Sequence, residues 1–178
     1  MLVLQTIAEK AQQAGLPFLI IGGYAVMAHG FVRSTADLDL LVQASLRQRW
    51  RELLEGLGMT MHREAISFLQ FNPPPTARLP VDVMCVADEV FKKMQSVSEQ
   101  KRLGGVSLAV VSLLHLVALK CHAIQHGPSL RKIKDTEDLI QLIRINRLDL
   151  NEPELRAIIL KHGKDELHEK LRRACPDE

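Results

Sequence analysis

The segment that most constrains the fold is an apolar run interrupted by two carboxylates. Asp37 and Asp39 are one residue apart, and positions 38 and 40–42 around them are all leucine or valine. This pattern predicts a strand over 37–42, in which alternating side chains point to opposite faces, so both carboxylates lie on one face. Neighbouring like charges repel, and such a pair is stable mainly when a cation neutralises it. Carboxylate oxygens suit Mg²⁺ or Mn²⁺, so the segment predicts a divalent-metal site.

A glycine pair lies upstream of the two carboxylates. Residues 17–21 form a short apolar strand that runs into Gly22 and Gly23 and then into a helical stretch. Glycines let the backbone approach a ligand closely, and the start of a helix offers unpaired amide groups to phosphate oxygens. A tight turn explains Gly-Gly alone equally well. The order of glycines, then Arg-Ser-Thr at 33–35, then the Asp strand favours a phosphate-binding loop.

A later apolar run is also interrupted by a carboxylate. The apolar, β-branched run at 79–85 contains Asp82 as its single acid. The alternative is an aspartate at a strand end that merely faces water. Asp88 and Glu89 are poorer candidates, because they fit the first turn of the next helix, where acids are common.

These motifs resemble the signature of the DNA polymerase β-like nucleotidyltransferase superfamily, which has a glycine pair, an Asp-x-Asp strand and a third strand carboxylate. The local form, Gly-Gly-x-Ala followed by Arg-x-Thr-x-Asp-x-Asp, is most similar to small prokaryotic enzymes of the abortive-infection and toxin–antitoxin group. The resemblance implies an α/β (α+β) fold with a mixed β-sheet, flanking helices and a C-terminal helical bundle. Many relatives have Gly-Ser, whereas this chain has Gly23 in place of the serine, so backbone amides would contact the phosphate.

The resemblance also implies the roles of individual residues in the first part of the chain. It assigns two Mg²⁺ or Mn²⁺ ions to Asp37, Asp39 and Asp82, with Asp82 also able to take a proton from the acceptor hydroxyl. It assigns the nucleoside triphosphate to Gly22, Gly23, Arg33 and Thr35, and Arg33 holds either a phosphate or one of the metal-binding carboxylates.

The helical part carries a second set of candidates. Lys120 falls on the apolar stripe of a predicted helix, where an ammonium either pairs with an anion or extends its head to solvent. The motif downstream contains Lys134, Asp135 and Asp138, and the two acids can also be a helix-start pair that balances nearby basic residues. The resemblance implies that Lys120 contacts the triphosphate with a catalytic role. It implies that Lys134 and Asp135 or Asp138 line the nucleotide site, with one of these acids orienting Lys120 or the nucleotide.

The pattern predicts two domains, at 1–110 and 111–178. In the first domain we expect strands at 17–21, 37–42, 65–71 and 79–85, and the last two should be antiparallel neighbours. We also expect a helix at 2–14 and a second helix that is capped by Ser45 and ends at 57. A Gly-Gly turn and a β-branched run at 101–111 are the predicted boundary between the two domains. In the second we expect helices at 112–126, 130–146, 152–162 and 164–174.

Composition limits the class of protein. A net charge of +2 excludes the broad basic surface that binds long DNA, although a small site for a tRNA end needs few basic residues. No apolar run approaches the roughly 20 residues of a membrane span, and the first residues do not form a signal peptide. Three widely spaced cysteines indicate reduced thiols. We therefore expect a cytoplasmic protein with no membrane partner.

The sequence predicts a metal-dependent enzyme that moves a nucleoside monophosphate from a triphosphate to a hydroxyl, releasing pyrophosphate. The acceptor stays open between an RNA end such as tRNA, a protein and a small molecule such as an aminoglycoside. A toxin-like member with a cognate antitoxin is a further possibility. The alternative is a catalytically silent nucleotide-binding or partner-binding subunit, which usually lacks one of the three acids.

Overall fold

In the computed structural model, which describes residues 2–176, the chain contains both helices and strands up to residue 110, and from residue 113 onward its regular elements are all helices. The chain divides into two compact units. The first contains the residues up to Ala28 together with Arg33–Val111, and the second contains His29–Val32 together with the residues from Ser112 onward.

The first unit is built from four helices and seven strands. The helices are α1 (Leu2–Gln13), α2 (Gly22–Ala28), α3 (Arg47–Gly56) and α4 (Asp88–Ser96). The strands are β1 (Leu19–Ile20), β2 (Leu38–Gln43), β3 (Thr60–Ala65), β4 (Phe68–Asn72), β5 (Val81–Val86), β6 (Glu99–Leu103) and β7 (Val106–Val110).

The seven strands form one mixed sheet in the order β3-β4-β5-β2-β1-β7-β6. Strand β2 is parallel to β5, and β1 is parallel to β7, while the other neighbours are antiparallel. In the β2–β5 register, Asp39 lies opposite Asp82. The predicted mixed sheet with flanking helices and a helical C-terminal part is confirmed.

The core of the first unit follows from the two periodicities of its sequence. On α1, Leu4, Ile7 and Ala11 share one helix face and are buried. On β5, Val81 and Val83 are buried while Asp82 between them points to the other face and is half-buried. Burying each large aliphatic side chain stabilises the fold by about 1.5–3 kcal/mol, so this alternation holds the acid-bearing face in position.

The second unit consists of α5 (Leu113–His126), α6 (Ser129–Ile145) and α7 (Pro153–Ala174). Ser112 caps α5, since its hydroxyl accepts a hydrogen bond from the backbone N–H of His115. Helix α7 is broken at Lys164, whose φ of 65° and ψ of 173° are not helical. This break matches the predicted separation of two helices after residue 162.

Two local predictions are wrong. Residues 65–71 are not one strand, because a turn at 66–67 separates β3 from β4, although β4 does pair antiparallel with β5. The turn has no glycine, proline or asparagine, and Ser67 alone is a weak turn signal. Because β3 is largely exposed, alternation did not reveal the turn either. Ser45 does not cap a helix: α3 begins at Arg47, and the Ser45 hydroxyl donates to Asp88 Oδ2 at 2.6 Å.

All three cysteines are free, as the sequence predicted. Cys121 lies in the core of the second unit, where burial raises the pKa of its thiol to about 12. Among residues 2–176, no helix has both the length and the apolar character that crossing a bilayer requires.

Candidate active site

Three carboxylates converge on one face of the sheet. Asp37 lies one residue before β2, Asp39 lies within it, and Asp82 lies on the adjacent parallel strand β5. One oxygen from each carboxylate lies within 4.8 Å of the others, and all three residues are half-buried. Among residues 2–176, this is the one group of three or more His, Cys, Asp or Glu side chains arranged closely enough to hold a metal ion. The structure thus brings together the three acids that the sequence singled out.

The electrostatics of this cluster favour a cation. Two unit charges about 4 Å apart repel by about 1 kcal/mol in water and about 4 kcal/mol at the effective dielectric near a protein surface. In a cluster of three carboxylates, each pair repels in this way. A divalent ion bound between them makes the electrostatic energy of the cluster favourable. Because the donor set consists of hard oxygens only, its chemistry fits Mg²⁺ or Mn²⁺.

The glycine pair at the start of α2 is packed directly against this cluster. Gly22 has a φ of +60°, and a β-carbon at this position would overlap the carboxylate of Asp39. A β-carbon on Gly23 would overlap the Thr35 side chain and lie 3.4 Å from Arg33 Nη1. The two glycines therefore leave room for Asp39 and Thr35, a requirement that the sequence pattern did not reveal.

Thr35 and Arg33 lie in the segment that leads into β2. The Thr35 hydroxyl lies 3.2 Å from Asp37 Oδ1 and 3.4 Å from the Asp37 carbonyl oxygen, so its single proton is donated to one of them at a time. Arg33 Nη1 donates to the Ser34 carbonyl at 2.8 Å, which anchors the guanidinium close to its own backbone. These contacts hold Asp37 and shape the approach to the cluster.

One residue of the site was missed in the sequence. Gln70 on β4 lies opposite Asp82 in the antiparallel β4–β5 register, and its Nε2 donates to Asp82 Oδ2 at 2.7 Å. Because Leu69 and Phe71 on either side of it are buried, Gln70 points to the opposite face of the sheet from these two side chains. Alternation alone could have placed Gln70 on that face, but the strand register that pairs it with Asp82 is a tertiary property.

The candidates from the helical part lie together within the second unit. Lys120 Nζ donates to Asp135 Oδ1 and to Asp138 Oδ2, both at 2.5 Å, and all three side chains are buried. Burial of the ammonium on the apolar stripe agrees with the prediction that it pairs with an anion. Both acids pair with the lysine, since each accepts a hydrogen bond from the Lys120 ammonium.

The basic residues around this cluster are exposed. Arg131 Nε lies 3.5 Å from Asp135 Oδ2, a contact between an exposed guanidinium and a buried carboxylate. Lys134 is exposed on the surface of α6. An exposed ammonium contributes little to stability, so Lys134 stays a predicted nucleotide contact without structural support.

Comparison with solved structures identifies the fold. The antibiotic-resistance factor ANT(2″)-Ia in solution matches with a TM-score of 0.68 at 17% identity, covering 96% of this chain and 94% of that one. A crystal structure of ANT(2″)-Ia with adenylyl-2″-tobramycin matches with a TM-score of 0.58 at 18% identity, covering 97% and 94%. The lincosamide antibiotic adenylyltransferase LnuA, bound to lincomycin, matches with a TM-score of 0.57 at 14% identity, covering 78% and 95%.

No protein-family model matches this sequence, and no curated protein matches it. These three structural matches span 78–97% of the chain at 14–18% identity, so what they share with it is the backbone architecture. The chain therefore has the nucleotidyltransferase fold.

Proposed function

We propose that this protein is a metal-dependent nucleotidyltransferase that transfers a nucleoside monophosphate from a nucleoside triphosphate to a hydroxyl group. The observation that carries the proposal is the convergence of Asp37, Asp39 and Asp82 within 4.8 Å, beside a glycine pair with no space for side chains. A catalytically silent subunit of this fold would not need all three acids in this arrangement, so their convergence favours an enzyme.

Each residue has a definite task in the proposed reaction. Asp37, Asp39 and Asp82 would hold divalent cations, which when bound stabilise the charge on the attacking and leaving oxygens of an in-line displacement. Gly22 and Gly23 allow the triphosphate to approach the backbone closely. Thr35 holds Asp37 through its hydroxyl, and Arg33 is the predicted phosphate contact.

The bond changes are those of substitution at the α-phosphorus. The acceptor oxygen forms a bond to the α-phosphorus, the bond from that phosphorus to the bridging oxygen breaks, and pyrophosphate leaves with the electron pair. The proton of the acceptor hydroxyl passes to a base, for which Asp82 is our candidate because it is the acid on the strand beyond the Asp37–Asp39 pair.

The role of Lys120 stays a prediction from the sequence resemblance. The resemblance implies that its ammonium contacts the triphosphate and that Asp135 or Asp138 orients it or the nucleotide. The two short hydrogen bonds within the second unit support the orienting role of both acids. The two carboxylates more than offset the single charge of the ammonium, so stability and function must be measured separately.

For the acceptor we propose a hydroxyl of a small molecule, with ATP as the donor. The support is indirect: ANT(2″)-Ia was crystallised with an adenylylated tobramycin, and LnuA is an adenylyltransferase of lincosamide antibiotics. Neither comparison supports an RNA end, a protein acceptor, a toxin role or a cognate antitoxin, which stay predictions from the sequence alone. The need for a nucleoside triphosphate agrees with the predicted cytoplasmic location.

The test is a transfer assay with each of the four α-³²P-labelled nucleoside triphosphates and Mg²⁺. The protein is incubated separately with the small-molecule, RNA and protein fractions of a cell extract, and the Asp37→Asn/Asp39→Asn double variant serves as the control. We expect label to appear in the small-molecule fraction with the unaltered protein only. Absence of label from every fraction, together with nucleotide binding that does not depend on metal, would contradict the proposal.

A further inference from the structure

Gln70 is the neighbour of the acid cluster that neither the motif nor the proposed reaction has used. It lies on β4, next to β5, and the registers place Asp39, Asp82 and Gln70 in one row across three adjacent strands. Asp82 therefore lies between Asp39, a candidate metal ligand, and the side-chain amide of Gln70. The row lies entirely within the first unit.

The backbone of this row is held by the hydrogen-bond ladders of the sheet. The remaining freedom of Asp82 lies in its side chain, whose terminal torsion is broad because it joins an sp³ and an sp² carbon. The Gln70 amide restricts that torsion, since Nε2 donates to Asp82 Oδ2 at 2.7 Å. A carboxylate that shares a cation with two others must direct an oxygen at the ion, and this hydrogen bond restricts the angle at which Asp82 can do so.

The choice of side chain also matters for charge. A lysine or arginine at position 70 would orient Asp82 equally well, but it would neutralise part of the negative charge that attracts the cation. The amide of glutamine donates a hydrogen bond without adding charge. Gln70 thus holds the third carboxylate and leaves the net charge of the cluster unchanged.

We propose that Gln70 is a positioning residue, which fixes the Asp82 carboxylate in the orientation needed to complete the metal site. This inference rests on the proposed function, because it assumes that Asp82 binds a cation. Outer partners of metal ligands typically change metal affinity or activity by roughly 10- to 100-fold when they are removed, and we expect an effect of this size.

The decisive variant is Gln70→Met, which keeps the length of the side chain but cannot donate a hydrogen bond. Binding of Mn²⁺ to the full chain is measured by electron paramagnetic resonance of the free ion, in the presence of the α,β-methylene analogue of ATP. We expect Mn²⁺ affinity to fall about 10-fold or more, with the melting temperature in the absence of metal nearly unchanged. Gln100→Met, a matched substitution on the edge strand β6, is expected to bind Mn²⁺ as the unaltered protein does.

A second readout separates positioning from a purely structural role. With the acceptor found by the labelling experiment and at a saturating concentration of Mn²⁺, Gln70→Met is expected to lower kcat while the KM for the triphosphate stays within about twofold, since the glycine loop is unchanged. If Gln70→Met does not fold, Gln70→Asn carries the test, because it keeps a polar amide but is one methylene shorter, which lengthens the 2.7 Å contact with Asp82 Oδ2. Unchanged Mn²⁺ affinity in the folded variant would overturn the inference.

Asp82→Asn distinguishes this failure from failure of the proposed function. If Asp82→Asn loses Mn²⁺ binding and Gln70→Met does not, the metal site stands and only the positioning role is wrong. If Asp82→Asn also binds Mn²⁺ normally, Asp82 is not a metal ligand and the proposed site itself is wrong.

Discussion

Gly22 lies directly against the carboxylate of Asp39, so closely that a β-carbon at position 22 would overlap that side chain. The φ of +60° at Gly22 is also one that L-residues rarely adopt. Gly22 and Asp39 are therefore packed in direct contact, with no space left for a side chain between them. Any side chain at position 22 must displace a candidate metal ligand.

Gly22→Ala is consequently expected to reduce nucleotide transfer strongly, by at least about 10-fold, because the left-handed backbone alone costs roughly 1–2 kcal/mol and Asp39 must also move. Its melting temperature should fall as well. Gly56→Ala is the matched control, since Gly56 lies in α3 with nothing within 4 Å of an added β-carbon. That substitution should be neutral or stabilise the protein by up to about 1 kcal/mol. Equal activity of the two variants would contradict the packing argument.

Asp39→Asn is expected to reduce transfer by at least about 100-fold, because several kcal/mol of transition-state stabilisation depend on the metal site. Without metal, its melting temperature should equal or exceed that of the unaltered protein, since one of three clustered charges is removed. The rise in melting temperature on addition of MgATP should be lost. Asp165→Asn, at an exposed position on α7, controls for the substitution itself. Unfolding of Asp39→Asn would instead indicate a structural role.

Lys120→Met is expected to destabilise the protein by about 3–5 kcal/mol, because it leaves the buried carboxylates of Asp135 and Asp138 without their shared cation. Lys134→Met, at an exposed position on α6, should change the free energy of unfolding by less than about 0.5 kcal/mol. Urea denaturation with detection in the far ultraviolet compares the two.

Calorimetric titration of Lys120→Met with MgATP, below its melting temperature, then tests the triphosphate contact. Weaker binding than in the unaltered protein would support the predicted role of Lys120 at the nucleotide. Unchanged binding in a folded but destabilised Lys120→Met would restrict the lysine to holding the helices together.

The Ser45–Asp88 contact predicts a pH dependence of stability. The Ser45 hydroxyl and backbone N–H donate to Asp88 and lower the pKa of its carboxyl below the ordinary value of 3.8. A carboxyl with a lowered pKa in the folded state contributes stability above its unfolded pKa, and this contribution is lost as the pH falls through its folded pKa. The stabilisation by the Ser45 hydroxyl is therefore fully present above about pH 4 and fades at lower pH.

Ser45→Ala is expected to lower the melting temperature at pH 6, and the difference from the unaltered protein should shrink as the pH falls below about 4. Ser98→Ala is the matched control, because the Ser98 hydroxyl donates to the uncharged carbonyl of Gln95 at 2.7 Å. Its effect should not depend on pH in this range. A Ser45→Ala difference that is the same at pH 3 and pH 6 would contradict the assigned cause.

The sequence by itself determined the parts of this protein that depend on local patterns. Alternation of apolar and acidic residues placed Asp82 on a strand, and the Asp-x-Asp spacing placed Asp39 beside Asp37. Glycine at positions 22 and 23 and the helical periodicity after residue 112 were also readable, because backbone freedom and side-chain period are properties of a few consecutive residues. These features, through the resemblance to the nucleotidyltransferase superfamily that they carry, were enough to predict the fold class and the three acids.

The tertiary structure alone decided which side chains meet. The pairing of Gln70 with Asp82, the bond between Ser45 and Asp88, and the double ion pair of Lys120 all join residues 12 to 43 positions apart. Such contacts depend on strand register and helix packing, which arise from the balance of burial over the whole unit and not from any short segment. For the same reason the glycines were assigned to the phosphate from sequence, whereas their packing against Asp39 and Thr35 became visible only in the folded chain.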